Sequence, residues 1–216
     1  MRRHCLKDYR LQFITHCTEN YNYYESAKIA LEGGIRWIQL RMKEVGIDEV
    51  KKEAIRIKNL CQIYNALFII DDYVELAIEL EADGVHLGQN DMPVRDARRL
   101  GGTKLLIGGT ANTFSQLQVL FQDGVDYIGL GPFRFTETKH TLAPILGLKG
   151  LKEIIDECKY HHLDLPIYVI GGVKKEDITT ILQTGASGIA LSSAILHTKQ
   201  PLKEAKEFVQ LTNNKM

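Results

Sequence analysis

Leu80-Glu81-Ala82-Asp83-Gly84-Val85-His86-Leu87 is the stretch from which the fold can be read: an apolar-periodic helix ends, a glycine turns the chain, and a short β-rich run begins. The same plan recurs in Leu31-Glu32-Gly33-Gly34-Ile35-Arg36-Trp37-Ile38, in Phe121-Gln122-Asp123-Gly124-Val125-Asp126-Tyr127-Ile128 and in Gln183-Thr184-Gly185-Ala186-Ser187-Gly188-Ile189-Ala190. In each copy the glycine is expected to let the backbone leave its helix through a left-handed residue at little steric cost. A repeated supersecondary unit of this kind buries its apolar face only by stacking against its neighbours.

Strand patterns extend through the chain, near Leu11 to Thr15, Trp37 to Arg41, Leu67 to Ile70, Val85 to Leu87, Leu105 to Gly108, Tyr127 to Leu130, Ile167 to Ile170 and Ile189 to Leu191. Helical patterns follow them. Val50, Ala54, Ile57, Cys61 and Tyr64 recur at three-to-four spacing, and Thr113 with Gln116 reads as a capping box opening a helix. Eight such pairs predict a parallel (β/α)8 TIM barrel, an α/β fold in one compact domain over 1–216, with 1–10 as a short N-terminal extension. An open doubly wound sheet is the competing arrangement, but no GxGxxG follows the first strand.

The 216 residues are 44% hydrophobic and 25% charged, which suits a soluble globular domain and excludes disordered and collagenous chains. Twenty-seven Lys plus Arg balance 27 Asp plus Glu, so no global field favours nucleic acid or an anionic membrane. Apolar runs such as Ala66 to Ile70 are only strand-length, and Lys7, Asp8 and Arg10 interrupt the place of a signal-peptide core. A cytoplasmic protein is expected. Cys5, Cys17, Cys61 and Cys158 are isolated, with no CxxC pair or zinc spacing, and are expected as free thiols.

The polar residues of interest fall at strand ends, where such barrels carry their active sites. The two-residue period of a strand places Gln39, Arg41 and Lys43 on one face and Ile38 and Leu40 on the other. An amide and two cations would then point into the mouth. Strand three ends in Asp71-Asp72-Tyr73 and strand four runs into Gly88-Gln89-Asn90-Asp91, which sets carboxylates on adjacent strand ends. Hard oxygen ligands with few companions suit Mg2+, which keeps several waters and bridges carboxylates to phosphate; Asp71 and Asp91 could instead simply start the following helices. After strand six, Gly129-Leu130-Gly131-Pro132 shapes a bend, and hydroxyls and an ammonium follow in Thr136-Glu137-Thr138-Lys139, within a loop long enough for a lid. Gly171-Gly172 after strand seven and Ser192-Ser193 after strand eight stand where these barrels bind phosphate. His86 reads as a hydrogen-bonded barrel histidine and His161-His162 as a solvated helix end. No HExxH, G-x-S-x-G or Ser/His/Asp order supports metalloprotease or nucleophilic chemistry.

From about Phe13 to Phe208 the chain resembles the thiamine phosphate synthase (thiamine-phosphate pyrophosphorylase) family. The resemblance is carried by Gln39-Leu40-Arg41-Met42-Lys43, Gly84-Val85-His86-Leu87-Gly88-Gln89-Asn90-Asp91, Gly129-Leu130-Gly131-Pro132, Thr136-Glu137-Thr138-Lys139 and Gly171-Gly172. It implies a transferase of thiamine biosynthesis that couples hydroxymethylpyrimidine diphosphate to hydroxyethylthiazole phosphate, giving thiamine phosphate and pyrophosphate. It further implies Mg2+ on Asp72 and Asp91, and pyrophosphate contacts from Arg41, Lys43, Thr136, Thr138 and Lys139. By the same resemblance, the thiazole phosphate lies on Gly172 and Ser192-Ser193, with Gln39, Asp71 and Thr110 near the pyrimidine and diphosphate. Arg41, Lys43 and Lys139 are the expected catalytic cations.

The chain departs from the family pattern at Asp71, where Asn is usual, at Phe133-Arg134-Phe135, at Thr110, where Ser is common, and at Asn112, where His is frequent. Asn112 bears on the alternatives. Related thiazole tautomerases depend on a histidine there and tend to lose the metal carboxylates and the Thr-x-Thr-Lys loop. A non-catalytic thiamine-related binding protein is the other alternative, against which the retained Asp91 and Lys139 count. The partners expected are the two small-molecule substrates, with neither nucleic acid nor membrane. A homodimer is compatible with barrel helices of this kind, although no apolar outer patch stands out in the sequence.

Overall fold

Short apolar runs, each too brief to be stable alone, close on one another as a barrel. The computed structural model describes residues 6–135 and 144–213. Eight strands, β1 Leu11–Ile14, β2 Trp37–Leu40, β3 Leu67–Asp71, β4 Gly84–Leu87, β5 Leu106–Ala111, β6 Tyr127–Leu130, β7 Ile167–Ile170 and β8 Gly188–Leu191, pair in parallel in sequence order, and β8 returns to β1. The helices among the described residues are α1 Tyr23–Glu32, α2 Ile47–Ile63, α3 Val74–Glu79, α4 Val94–Gly101, α5 Phe114–Gln122, α6 Gly147–Tyr160, α7 Ile178–Gln183, α8 Ser193–Leu196 and α9 Pro201–Asn213. None of them is long and apolar enough to cross a membrane. The fold is therefore the eight-stranded TIM barrel that the repeats imply.

Burial divides the apolar residues into two bodies. The larger lies between strands and helices and includes Phe13, Ile38, Ile57, Ile70, Leu117, Ile128 and Phe208. The smaller fills the lower barrel with Leu6, Trp37, Leu67, Ile69, Tyr127 and Tyr168. Trp37 meets Tyr168 edge-on at 4.7 Å and Tyr127 at 4.9 Å between ring centroids. The residues before β1 belong to this plug, because Leu6 is buried and its carbonyl accepts the Tyr168 hydroxyl at 2.7 Å. Above the plug the interior turns polar, with Gln12, Gln39, Asp71, His86 and Thr110 all buried.

Three repeat turns use glycine as expected: Gly34, Gly124 and Gly185 have φ of 101°, 86° and 100°. The turn before β4 does not. There Glu81 takes the left-handed conformation, at φ 49°, and Gly84 opens the strand, where an added Cβ would lie closer than 3.0 Å to the Leu106 carbonyl. Close backbone approach, not turn geometry, requires this glycine. Strand β5 also runs three residues beyond the expected end at Gly108, because Gly108 and Gly109 face Tyr127 and Leu120, which fill the space of the missing side chains. Thr113 caps α5 by accepting from Gln116 N–H at 3.3 Å, but Gln116 Oε1 reaches past Thr113 to Asn112 N–H at 2.7 Å.

The segment after β6 is pinned to the segment after β7. Phe133 N–H and Arg134 N–H donate to the carbonyls of Ile170 and Gly171, each at 2.9 Å. The Arg134 guanidinium forks onto Asp177, with Nη2 to Oδ1 at 2.6 Å and Nη1 to Oδ2, while Lys174 N–H donates to Oδ2 at 2.9 Å. Burial alone would push the Asp177 carboxyl up, but the Arg134 and Lys174 bonds prevail and hold it below its ordinary value.

Adding a Cβ at Gly84 forces backbone against backbone, so Gly84→Ala is expected to cost about 2–3 kcal/mol. Thermal melts should show Tm lower by about 4–12 °C; an unshifted Tm refutes the packing argument. Asp177→Asn tests the pin. A carboxyl depressed in the folded state contributes stability above its unfolded pKa of about 3.9 and loses it as pH falls through the folded value. Because the bridge is partly exposed, the difference between wild type and Asp177→Asn is expected to be about 1 kcal/mol at neutral pH. Urea melts should show it shrinking between about pH 4 and pH 2; a difference that grows on acidification contradicts the assignment.

Candidate active site

Gln39, Arg41 and Lys43 do share a face, and what they share it around is Asp71. Gln39 Nε2 donates to Asp71 Oδ1 at 2.7 Å, Arg41 Nε lies 3.6 Å from Asp71 Oδ2, and Lys43 Nζ lies 3.4 Å from the same oxygen. Thr15, at the end of β1, accepts from Arg41 N–H at 3.1 Å and holds the strand exit in place. Asp71 is 7% exposed, and its burial pushes the carboxyl up against the lowering fields of Lys43 and Arg41. Burial pulls the Lys43 ammonium down, but Asp71 and Asp72 outweigh it and raise its pKa. Two cations at one exit stay charged because the next strand supplies their counter-charge.

Asp72 and Asp91 complete this side. Asp72 follows β3 in a left-handed conformation, φ 68°, and its N–H donates to the His86 carbonyl at 2.9 Å. One of its oxygens, Oδ2, takes Lys43 Nζ, while Oδ1 is buried with no partner among the described residues. Asp91 Oδ2 accepts Gly88 N–H at 2.6 Å. Burial and the facing Asp72 carboxylate both push the Asp91 carboxyl up, against the Gly88 N–H. Neither Asp71 nor Asp91 caps a helix; Tyr73 precedes α3 and Pro93 precedes α4. Among the described residues no group of three or more His, Cys, Asp or Glu is placed to hold an ion, so Asp72 and Asp91 stand as a pair. An orphaned buried oxygen and a second carboxylate strained by the first fit a hard divalent cation that takes its other ligands from water and substrate.

Across the mouth, Gly171 and Gly172 adopt φ of 90° and 67°. A Cβ at Gly172 would stand 2.8 Å from Arg134 Cβ, so the pinned β6 segment lies directly against this turn. Ser192 precedes α8 and Ser193 is its first residue; Ser192 Oγ is buried without a partner. Thr110 sits near the upper end of β5, 2.9 Å from His86 Nε2, and its carbonyl takes Gln89 Nε2. Asn112 is occupied by structure, its Nδ2 donating to the Gly131 carbonyl. Thr136, Thr138 and Lys139 lie outside the described residues.

Sequence reasoning did not single out Gln12, Thr15 or Tyr127. The two-residue period from Tyr127 to Gly129 on β6, beside Gly108 on β5, marks an interior position flanked by missing side chains. That was the available signal for Tyr127.

The mouth was compared with known proteins once its geometry was in hand. A family model described as thiamine monophosphate synthase matches residues 11–195. The chain is 55% identical over 205 residues to the thiamine-phosphate synthase of Phocaeicola vulgatus, covering 95% of this chain and 99% of that protein. It is 51% identical over 201 residues to the thiamine-phosphate synthase of Bacteroides fragilis, covering 93% and 98%. The solved thiamine phosphate pyrophosphorylase of Pyrococcus furiosus superposes with a TM-score of 0.85 at 31% identity, covering 95% of this chain and 96% of that one. The chain belongs to the thiamine monophosphate synthase family.

Proposed function

We propose that this chain joins hydroxymethylpyrimidine diphosphate to hydroxyethylthiazole phosphate. The thiazole nitrogen lone pair forms a C–N bond to the pyrimidine methylene carbon, the C–O bond to the diphosphate breaks, and its electron pair leaves with pyrophosphate. The observation that carries this reading is the two-sided mouth, with cations and paired carboxylates on β2 to β4 and a glycine turn with two serines on β7 and β8. Two phosphorylated substrates need two such sides.

Mg2+, held by Asp72 and Asp91, would supply charge neutralisation on the diphosphate oxygens. Arg41 and Lys43 add fixed positive charge where the leaving group gains negative charge, and Asp71 holds both in place before substrate arrives. Thr136, Thr138 and Lys139 are assigned to the same diphosphate. Gln39 keeps Oε1 buried and unpartnered at the pyrimidine side, beside Asp71 and Thr110. Gly172, Ser192 and Ser193 take the thiazole phosphate, with the Ser192 hydroxyl available to donate. The mechanism is a dissociative alkyl transfer that needs no protein base. The tautomerase alternative is disfavoured because Asn112 carries no titratable group and its amide is engaged with Gly131. A cytoplasmic setting suits the free Cys17, Cys61 and Cys158 thiols.

Purified protein given both substrates and Mg2+ should release pyrophosphate and thiamine phosphate in equal amounts, and omitting any one component should abolish both. Thiamine phosphate made without Mg2+ overturns the metal assignment; no product under any condition overturns the reading. Arg41→Ala and Lys139→Ala should each lower kcat by about 10²–10³, the loss expected for a preorganised charge donor. Turnover close to wild type in both would remove these cations from the chemistry.

A further inference from the structure

Four buried side chains from four different strands form one hydrogen-bonded chain that climbs the barrel interior. Gln12 Nε2 on β1 donates to the Tyr127 hydroxyl on β6 at 3.4 Å. That hydroxyl lies 3.1 Å from His86 Nδ1 on β4, and His86 Nε2 lies 2.9 Å from Thr110 Oγ1 on β5. The chemistry of the first link sets the direction of the rest. An amide N–H can only donate, so the Tyr127 oxygen accepts from Gln12 and its own proton turns to the neighbouring acceptor, His86 Nδ1. The imidazole proton is then on Nε2, which donates to Thr110 Oγ1. With that oxygen accepting, the Thr110 proton has no acceptor among the described residues and is available to the mouth.

The barrel is built around this chain. A Cβ at Gly108 would fall 2.5 Å from His86 Nδ1 and closer still to the Tyr127 ring, and a Cβ at Gly129 would lie 3.2 Å from His86 Cε1. Two adjacent inward positions are thus vacated for the His86–Tyr127 pair. Trp37 at 4.9 Å and Tyr168 at 5.9 Å meet the Tyr127 ring edge-on and prevent it from swinging away. Burial pushes the Tyr127 phenol well above its ordinary pKa, so it keeps the proton it donates.

We propose that Gln12, Tyr127 and His86 are positioning residues that fix Thr110 as a hydrogen-bond donor toward an acceptor atom of the pyrimidine substrate. This rests on the reading of the mouth given under Proposed function. The device selects for an acceptor, since a group presenting only N–H or O–H at that point would face a second donor.

Two measurements test it. Long-range 1H–15N correlation spectra of histidine-labelled, ligand-free protein, with His86 assigned through His86→Asn, should show protonated Nε2 and unprotonated Nδ1. Protonated Nδ1 reverses the direction and overturns the proposal. This readout needs no substrate and no folded Tyr127 variant, so it holds even if the proposed reaction fails. In steady-state assays, Tyr127→Phe should raise KM for the pyrimidine diphosphate about 3- to 10-fold, the loss expected from one misdirected hydrogen bond. KM for the thiazole phosphate should stay at its wild-type value. Equal rises in both constants, or no change in either, would mean that Tyr127 is structural only.

Discussion

The mouth is organised by a carboxylate that ought not to be comfortable where it is. Asp71 ends β3 almost fully buried, and an isolated charge there would cost several kcal/mol. It is tolerated because Gln39 donates to one oxygen while Arg41 and Lys43 stand by the other. The dependence is mutual. Without Asp71 the two cations at the β2 exit would repel each other and swing toward solvent, and Gln39 would lose the bond that orients its amide. A buried pair of this sort adds little net stability, but it fixes geometry, and preorganised geometry is what a site for departing diphosphate requires.

The barrel below makes that arrangement affordable. Leu6, Trp37, Leu67, Ile69, Tyr127 and Tyr168 close the lower interior with apolar surface, so polar side chains can be confined to the layer facing the mouth. The division is not sharp, because the Tyr127 ring belongs to the plug and its hydroxyl to the polar layer. Aromatic side chains with a polar tip suit this boundary, since each buries a large ring while its hydroxyl still finds a partner. Tyr168 does the same in the opposite direction, reaching down to the Leu6 carbonyl.

The barrel itself was legible because it is periodic. Helix, turn and strand recur often enough that one misread turn, at Glu81 and Gly84, leaves the topology unchanged. The strand-end clusters were legible for a related reason, since a two-residue period puts Gln39, Arg41 and Lys43 together without any knowledge of tertiary structure. What the sequence could not supply was pairing across the barrel. Gln12 and Tyr127 are 115 residues apart and sit on strands that are not neighbours in the sheet, so no local pattern joins them. The role of Arg134 was hidden similarly. Its partner Asp177 is 43 residues away, and the bridge replaces whatever the more usual residues at Phe133-Arg134-Phe135 would do to hold that segment.

Asp71 also changes the electrostatic sum of the site relative to the asparagine usual in the family. Arg41 and Lys43 contribute two positive charges, and Asp71, Asp72 and Asp91 three negative ones, so the formal total is −1. A diphosphate would be repelled by that cluster, and a divalent cation would be drawn to it. Once a cation of charge +2 is held there the total becomes +1, and the sign then favours the diphosphate. With asparagine in place of Asp71 the same sums are 0 and +1 higher than here at each stage, so the empty site would already lack the repulsion. The extra carboxylate therefore favours an order of assembly, metal before or together with diphosphate, and it does so from a position where it also holds the two cations that the leaving group will meet.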